Sequence, residues 1–201
     1  MVERFASHLS NILIEMGSAQ EKDRPFLAYG LFCLMSDTVQ IGLLLVISLL
    51  SNTVAQMALF TFCFGLLKRT IGGWHARHHS TCLALFTALA VACVQFGGRL
   101  PPDWVLPGTL MLSAAMWVIV WQKAPVEHPN NPQTSERLSE LKRISRWLAS
   151  LELICIAVPG VLLCGTSFGR YLLTAAMGAF TAATALIPKV PLDPEKGGEL
   201  S

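Results

Sequence analysis

GLFCLMSDTVQIGLLLVISLL, residues Gly30 to Leu50, is an apolar run with a single ionisable side chain, Asp37, in its first half. A stretch of about 20 predominantly apolar residues is what an α-helix needs to cross the hydrocarbon core of a bilayer. Further runs follow at residues 53–67, 82–98, 104–122, 147–168 and 171–187. Pro107 and Pro159 interrupt two of them; in lipid, neighbouring helices satisfy the backbone groups a proline frees. Of 201 residues, 53% are hydrophobic and only 14% charged, against roughly 25% charged in soluble domains. The expectation is an all-α polytopic membrane protein, with about six spans forming one helical domain over residues 1–187.

Charge placement orients such a bundle, because cytoplasmic loops carry an excess of Lys and Arg. Six spans put Arg4, Lys22, Arg24, Lys68, Arg69, Arg77, Lys123, Arg137, Lys142, Arg143, Arg146, Lys189 and Lys196 on one side, and only Arg99 and Arg170 on the other. Both termini and the two long polar loops are therefore expected in the cytoplasm.

Residues 1–24 lack the apolar core of a cleavable signal peptide. Val2, Phe5, Leu9, Ile12, Leu13 and Met16 recur at helical spacing, with Glu3, Arg4, Ser7, Asn11 and Glu15 on other faces. That pattern suits an amphipathic helix lying in the membrane interface, or a cap packed on the bundle. The segment 188–201, rich in Pro, Gly and charge, reads as a flexible cytoplasmic tail. Cys33, Cys63, Cys93, Cys155 and Cys164 lie inside apolar runs at irregular spacings and read as small packing residues rather than a disulfide framework. Only Cys82 stands at a junction between polar loop and span, beside basic residues and histidines.

The chemistry concentrates in that loop, which runs Lys68-Arg69-Thr70-Ile71-Gly72-Gly73-Trp74-His75-Ala76-Arg77-His78-His79-Ser80-Thr81-Cys82. A cysteine nucleophile acts as its thiolate, and its usual partner is a His that takes the proton and returns it to a leaving amine. His75 and Cys82 are candidates for that pair. On an ideal helix seven residues put them on one face but roughly 10 Å apart along the axis, too far to share a proton. If His75 is the base, the chain between them must bend. His78 and His79, four and three residues before Cys82, reach it from a continuous helix. Gly72 and Gly73 permit positive φ and close approach of a substrate, with exposed N–H groups available to an oxyanion, or simply a turn ending span two. Arg69 and Arg77 mark the cytoplasmic boundary, and in addition suit an acidic peptide.

Other readings of the same residues stand beside this one. His75, His78, His79 and Cys82 are all metal-ligand types, which suits a metal- or haem-binding membrane protein. A small non-catalytic transporter would use the loop only as a positive-inside boundary. Asp37, an ionisable group inside a span, is either an orienting carboxylate for His75 or a hydrogen-bonding partner of a neighbouring helix. Glu152 is expected to face the membrane interface and pair with a basic residue.

Arg69, Gly72-Gly73-Trp74-His75-Ala76 and Cys82 resemble the active-site signature of the accessory gene regulator B family, membrane endopeptidases of bacterial quorum sensing. A second stretch agrees: Ala124-Pro125-Val126 and His128-Pro129-Asn130-Asn131-Pro132, followed by a basic helix with Lys142, Arg143 and Arg146, resemble the family's loop after the fourth span. Asn131 stands where the family often has a basic residue. The resemblance implies His75 and Cys82 as catalytic residues and Arg69, Gly72 and Gly73 as oxyanion or substrate-positioning groups. It implies Arg77, Lys142, Arg143 and Arg146 as contacts for a precursor signalling peptide. Its activity would be cleavage through a thioester, followed by hydrolysis or by closure of a thiolactone or lactone ring. The expected setting is the bacterial cytoplasmic membrane, as a homodimer, with no cofactor, no metal and no nucleic-acid partner.

Overall fold

The computed structural model describes residues 2–17, 20–72, 79–126, 134–163 and 165–187. They form seven α-helices: α1 Val2–Glu15, α2 Arg24–Leu50, α3 Val54–Ile71, α4 His79–Arg99, α5 Pro102–Lys123, α6 Ser135–Leu162 and α7 Gly169–Thr184. Among the described residues there is no β-strand, only an isolated bridge between Gly72 and Val126. The chain divides into two compact units, Met1–Asn52 and Thr53–Ser201.

In the first unit α1 packs along α2. The residues α1 buries are small, Ala6 and Ser10, one turn apart, while Phe5, Ile12 and Met16 of the expected apolar stripe stay exposed. Arg24 closes the connection between the two helices, donating to Asn11 Oδ1 at 2.7 Å and pairing with Glu21 at 2.8 Å. Pro25 follows Arg24 in the first turn of α2, where a missing N–H costs nothing.

The second unit is built around α7. Eleven of its residues are buried, among them Ala175, Ala176, Ala179, Ala182 and Ala183. Small side chains let helix backbones approach closely, the usual solution for packing inside lipid. α3, α4, α5 and α6 all pack on α7. The tightest crossing is at Gly178, where a Cβ would run into the backbone of Phe60. The core combines Cys63, Leu67 and Ile71 of α3, Met116 and Val120 of α5, and Ala149 and Ile156 of α6 with the alanine face of α7.

Among the described residues, five helices are long and apolar enough to cross a membrane, over Glu21–Leu50, Val54–Ile71, Ser80–Arg99, Pro102–Lys123 and Ser135–Leu162. Their outer faces keep large apolar side chains exposed, such as Leu50, Phe62, Phe96, Met111 and Ile154, as expected where the solvent is hydrocarbon. The helix at the expected sixth span has 16 residues, which rise only about 24 Å against a core of about 30 Å. Its neighbours, rather than lipid, cover most of its sides. The basic segment before the expected fifth span is continuous with it: α6 starts at Ser135, capped by Thr134 Oγ1, which accepts from Arg137 N. It ends at Leu162, and the turn to α7 passes through Gly165 at φ 81°.

Candidate functional site

A helix leaves its last four carbonyls without an intrahelical donor, and at the end of α3 the rest of the bundle supplies donors. Thr70 O accepts from Ser145 Oγ of α6 at 3.0 Å. Ile71 O accepts from the backbone N–H of Val126 at 3.0 Å. Lys68 Nζ reaches past the end of the helix and donates to Gly72 O at 2.9 Å. Three connections from three parts of the chain thus fix the point where α3 stops. Gly72 turns the backbone there with φ 66° and ψ −134°. A side chain is excluded twice: the φ lies in the left-handed half of the map, and a Cβ would stand 2.5 Å from Val126 O.

The stretch Ala124-Pro125-Val126 is the template for this turn. Ala124 caps α5 with its N–H on Val120 O and is buried, the Ala124–Pro125 peptide is cis, and Val126 runs parallel to Gly72 in the bridge. The two loop motifs singled out in the sequence therefore meet in space through their backbones.

Cys82 lies half-buried in the first turn of α4, where the unpaired N–H groups and the positive end of the helix dipole favour an anion. α4 packs against α3 and α7. Phe64 of α3 and Phe86 of α4 meet with ring centres 4.4 Å apart, and Lys68 and Cys82 stand one turn nearer the loop on the same faces of the two helices. Gly73, His75, Arg77 and His78 lie outside the described residues, so the conformation that would let His75 serve Cys82 is outside them too. His79 opens α4, three residues before Cys82.

The remaining expected site residues are dispersed. Arg69 is exposed at the end of α3, and Lys142 and Arg143 are exposed on α6. Arg146 is committed to α5: its Nη2 donates to Trp121 O at 3.1 Å, and its guanidinium sits 4.8 Å from the centre of the Trp121 ring. It therefore braces the end of a helix, by hydrogen bond and cation–π contact. Asp37 is exposed on α2, in the first unit. His128, Asn130 and Asn131 lie outside the described residues.

The expectation for Glu152 is corrected. It is 4% exposed and lies on the face of α6 that carries Ala149 and Ile156 into the core. Neither carboxyl oxygen has a hydrogen-bond partner among the described residues. Helical position explains this: Ser145, Ala149, Glu152, Ile156 and Gly160 recur every three or four residues and form the buried stripe of α6. Sequence reading missed Lys68 and Ser145 as parts of the site. Ser145 was legible only as a member of that stripe, one turn short of Ala149.

Cys33, Cys63, Cys82, Cys93 and Cys155 are all free thiols. Among the described residues no group of three His, Cys, Asp or Glu side chains is placed to hold a metal.

No curated protein and no solved structure matches the chain. The family model described as accessory gene regulator B matches residues 2–184, almost the whole helical region and both loop motifs. The chain belongs to the accessory gene regulator B family, membrane proteins that take part in processing the peptide signal of quorum sensing.

Proposed function

We propose that this protein is a membrane-embedded cysteine endopeptidase that matures a precursor signalling peptide, with Cys82 as nucleophile and His75 as general base and acid. The observation that carries the reading is the position of Cys82 in the first turn of α4, beside an α3 terminus whose turn admits only glycine at residue 72, in a chain of this family.

In the proposed reaction His75 takes the proton of Cys82 as the sulfur attacks a peptide carbonyl, and the tetrahedral intermediate collapses to a thioester. The C–N bond breaks and His75 returns the proton to the departing amine. Gly72 and Gly73 are the proposed source of backbone N–H donors to the developing oxyanion. An internal thiol or hydroxyl of the bound peptide then attacks the thioester, giving up its proton to His75, and the Cys82 sulfur leaves with a cyclic thiolactone or lactone as product. Exchange of one thioester for another gains little energy, so water must be excluded and the peptide held close. A site at the end of two membrane helices suits both needs. Arg69, Arg77, Lys142 and Arg143 are the proposed contacts for an acidic part of the precursor; Arg146 serves this purpose only indirectly, by holding α6 to α5.

The proposed setting is the cytoplasmic membrane of a bacterial cell, with the catalytic loop on the cytoplasmic side, both termini there as well with α7 as a sixth crossing enclosed by its neighbours, and two copies of the chain associating. The charge asymmetry along the sequence supports the orientation.

The test is cleavage of a candidate precursor in membranes containing the wild type, Cys82→Ala, His75→Ala, His78→Ala or His79→Ala. Loss of product, expected to exceed a hundredfold, is predicted for the first two variants. Full activity in Cys82→Ala would overturn the endopeptidase reading, and loss in His78→Ala or His79→Ala with His75 dispensable would move the base. Asp37→Asn in the same assay reads the expected orienting role of that carboxylate.

A further inference from the structure

We propose that Lys68 is a positioning residue of this site, its ammonium pinning the Gly72 carbonyl on one side and serving as counter-charge to the Cys82 sulfur on the other. The inference rests on the reading of Cys82 as nucleophile.

Lys68 and Arg69 are neighbours at the end of α3, and charge alone does not distinguish them. The structure does. Arg69 is exposed, whereas Lys68 is half-buried and reaches past the end of the helix to donate to Gly72 O at 2.9 Å. Its position has a cost, since an ammonium taken out of water loses hydration that only close partners restore. One partner it gains is the carbonyl of Gly72, the residue that turns the end of α3 with a positive φ; the Phe64–Phe86 ring contact at 4.4 Å, one turn away on each helix, sets Lys68 on the face of α3 that looks toward the face of α4 carrying Cys82.

Among the described residues, the elements packed on α4 offer Cys82 little other charge. α7 carries Arg170 and Tyr171 at its N-terminal end, the end that meets the far part of α4, where Gly97 approaches Leu173 and Met177. α3 contributes Cys63, which is buried about two turns before the end of the helix, along with Lys68 and the exposed Arg69. Of the cations on these two helices, Lys68 is therefore the one whose place fits a thiolate at position 82. A thiolate, not a thiol, is the attacking form, and a nearby cation raises its share.

The two proposed tasks separate in variants of the full chain in membranes. Lys68→Gln keeps a donor for Gly72 and loses the charge, Lys68→Met loses both, and Lys68→Arg keeps both. Lys123→Met, at the exposed end of α5, is the control. The readout is the rate at which iodoacetamide alkylates Cys82 at neutral pH, followed by mass spectrometry of the peptide that contains it, so that no precursor is needed. Alkylation is expected to slow about five- to tenfold in Lys68→Gln and Lys68→Met and to recover to within about twofold in Lys68→Arg. With precursor, Lys68→Gln should lower kcat and leave KM nearly unchanged, because the charge acts on the sulfur rather than on peptide binding.

Wild-type alkylation rates in Lys68→Gln overturn the proposal, as does a failure of Lys68→Arg to recover while that variant keeps native thermal stability. Should Lys68→Met fail to fold, Lys68→Gln against Lys68→Arg decides the matter alone. If alkylation responds as expected but no precursor is cleaved by the wild type, the endopeptidase reading fails while the pairing of Lys68 with Cys82 stands.

Discussion

Val126 donates its backbone N–H to the carbonyl of Ile71 at 3.0 Å, and through that bond the loop after α5 dictates how α3 ends. The next residue, Gly72, lies so close to Val126 that its missing side chain is a requirement of the contact. Gly72→Ala is therefore predicted to damage the site in two ways, through φ 66° and through a Cβ 2.5 Å from Val126 O. Neither neighbour is a flexible side chain that can swing aside. The expected cost is about 1–3 kcal/mol of local strain, appearing as loss of precursor cleavage and faster proteolysis within residues 73–78. Wild-type turnover in Gly72→Ala would show that the bridge does not shape the site.

Ser145 Oγ accounts for a second carbonyl at the same helix end. Its single proton is shared between Leu141 O at 2.7 Å and Thr70 O at 3.0 Å, and the residue is fully buried. Ser145→Ala leaves Thr70 O without this donor in a dry setting, at an expected cost of about 1–3 kcal/mol. Ser145→Thr keeps the hydroxyl and should be milder. Thermal unfolding in lipid nanodiscs compares the two, and equal melting temperatures for Ala and wild type would remove Ser145 from the brace.

The helical class was legible because lipid writes a coarse signal: residues 30–50 and 104–122 are apolar over a whole bilayer thickness, and α2 and α5 form there. The ends of helices were less legible, because they depend on local capping. α6 begins at Ser135, well before its apolar part, because Thr134 caps it and charged residues such as Glu136, Lys142 and Arg143 extend an amphipathic stripe. The packing of α7 was hidden for another reason. Its alanines read as merely apolar in a hydropathy sense, whereas their small size makes α7 the centre of the second unit. At the site, Gly72 and Cys82 stood out by residue type and spacing. Lys68 did not, since a lysine beside an arginine at a membrane boundary is what the positive-inside tendency supplies in any case. Only the fold separates the lysine that turns inward from the arginine that stays outside.

Glu152 marks a place where the core tolerates a polar group without satisfying it. Its carboxyl is buried between Ala149 and Ile156 with no partner among the described residues, and the proposed reaction does not use it. Replacing such a group with an apolar side chain of similar volume is often stabilising. Glu152→Met is predicted to raise thermal stability by the equivalent of about 1–3 kcal/mol without altering alkylation of Cys82. A loss of stability would instead mean that the carboxyl is held by a partner, and a loss of cleavage with stability retained would draw it into the reaction.

The α3–α7 crossing sets the strictest steric condition in the bundle. Gly178 meets the backbone of Phe60 at a distance that leaves no room for a methyl group, and α7 is buried along most of its length. The obstructing atoms are backbone atoms of Phe60, so no side-chain rotation relieves the contact. Gly178→Ala must therefore push α3 away from α7, at an expected cost of 1–3 kcal/mol or more, about the penalty of overpacking a close-packed core. Gly169→Ala is the informative comparison, because its Cβ would meet only a methyl of Val105 at 3.3 Å, which a few tenths of an ångström relieve. The predicted order of melting temperatures in nanodiscs is wild type, then Gly169→Ala, then Gly178→Ala. Since α3 also carries Lys68 and Gly72, Gly178→Ala should lower the rate of Cys82 alkylation as well, linking a packing defect at mid-helix to the chemistry at the helix end. Equal stability of the two alanine variants would place the closest approach of α3 elsewhere.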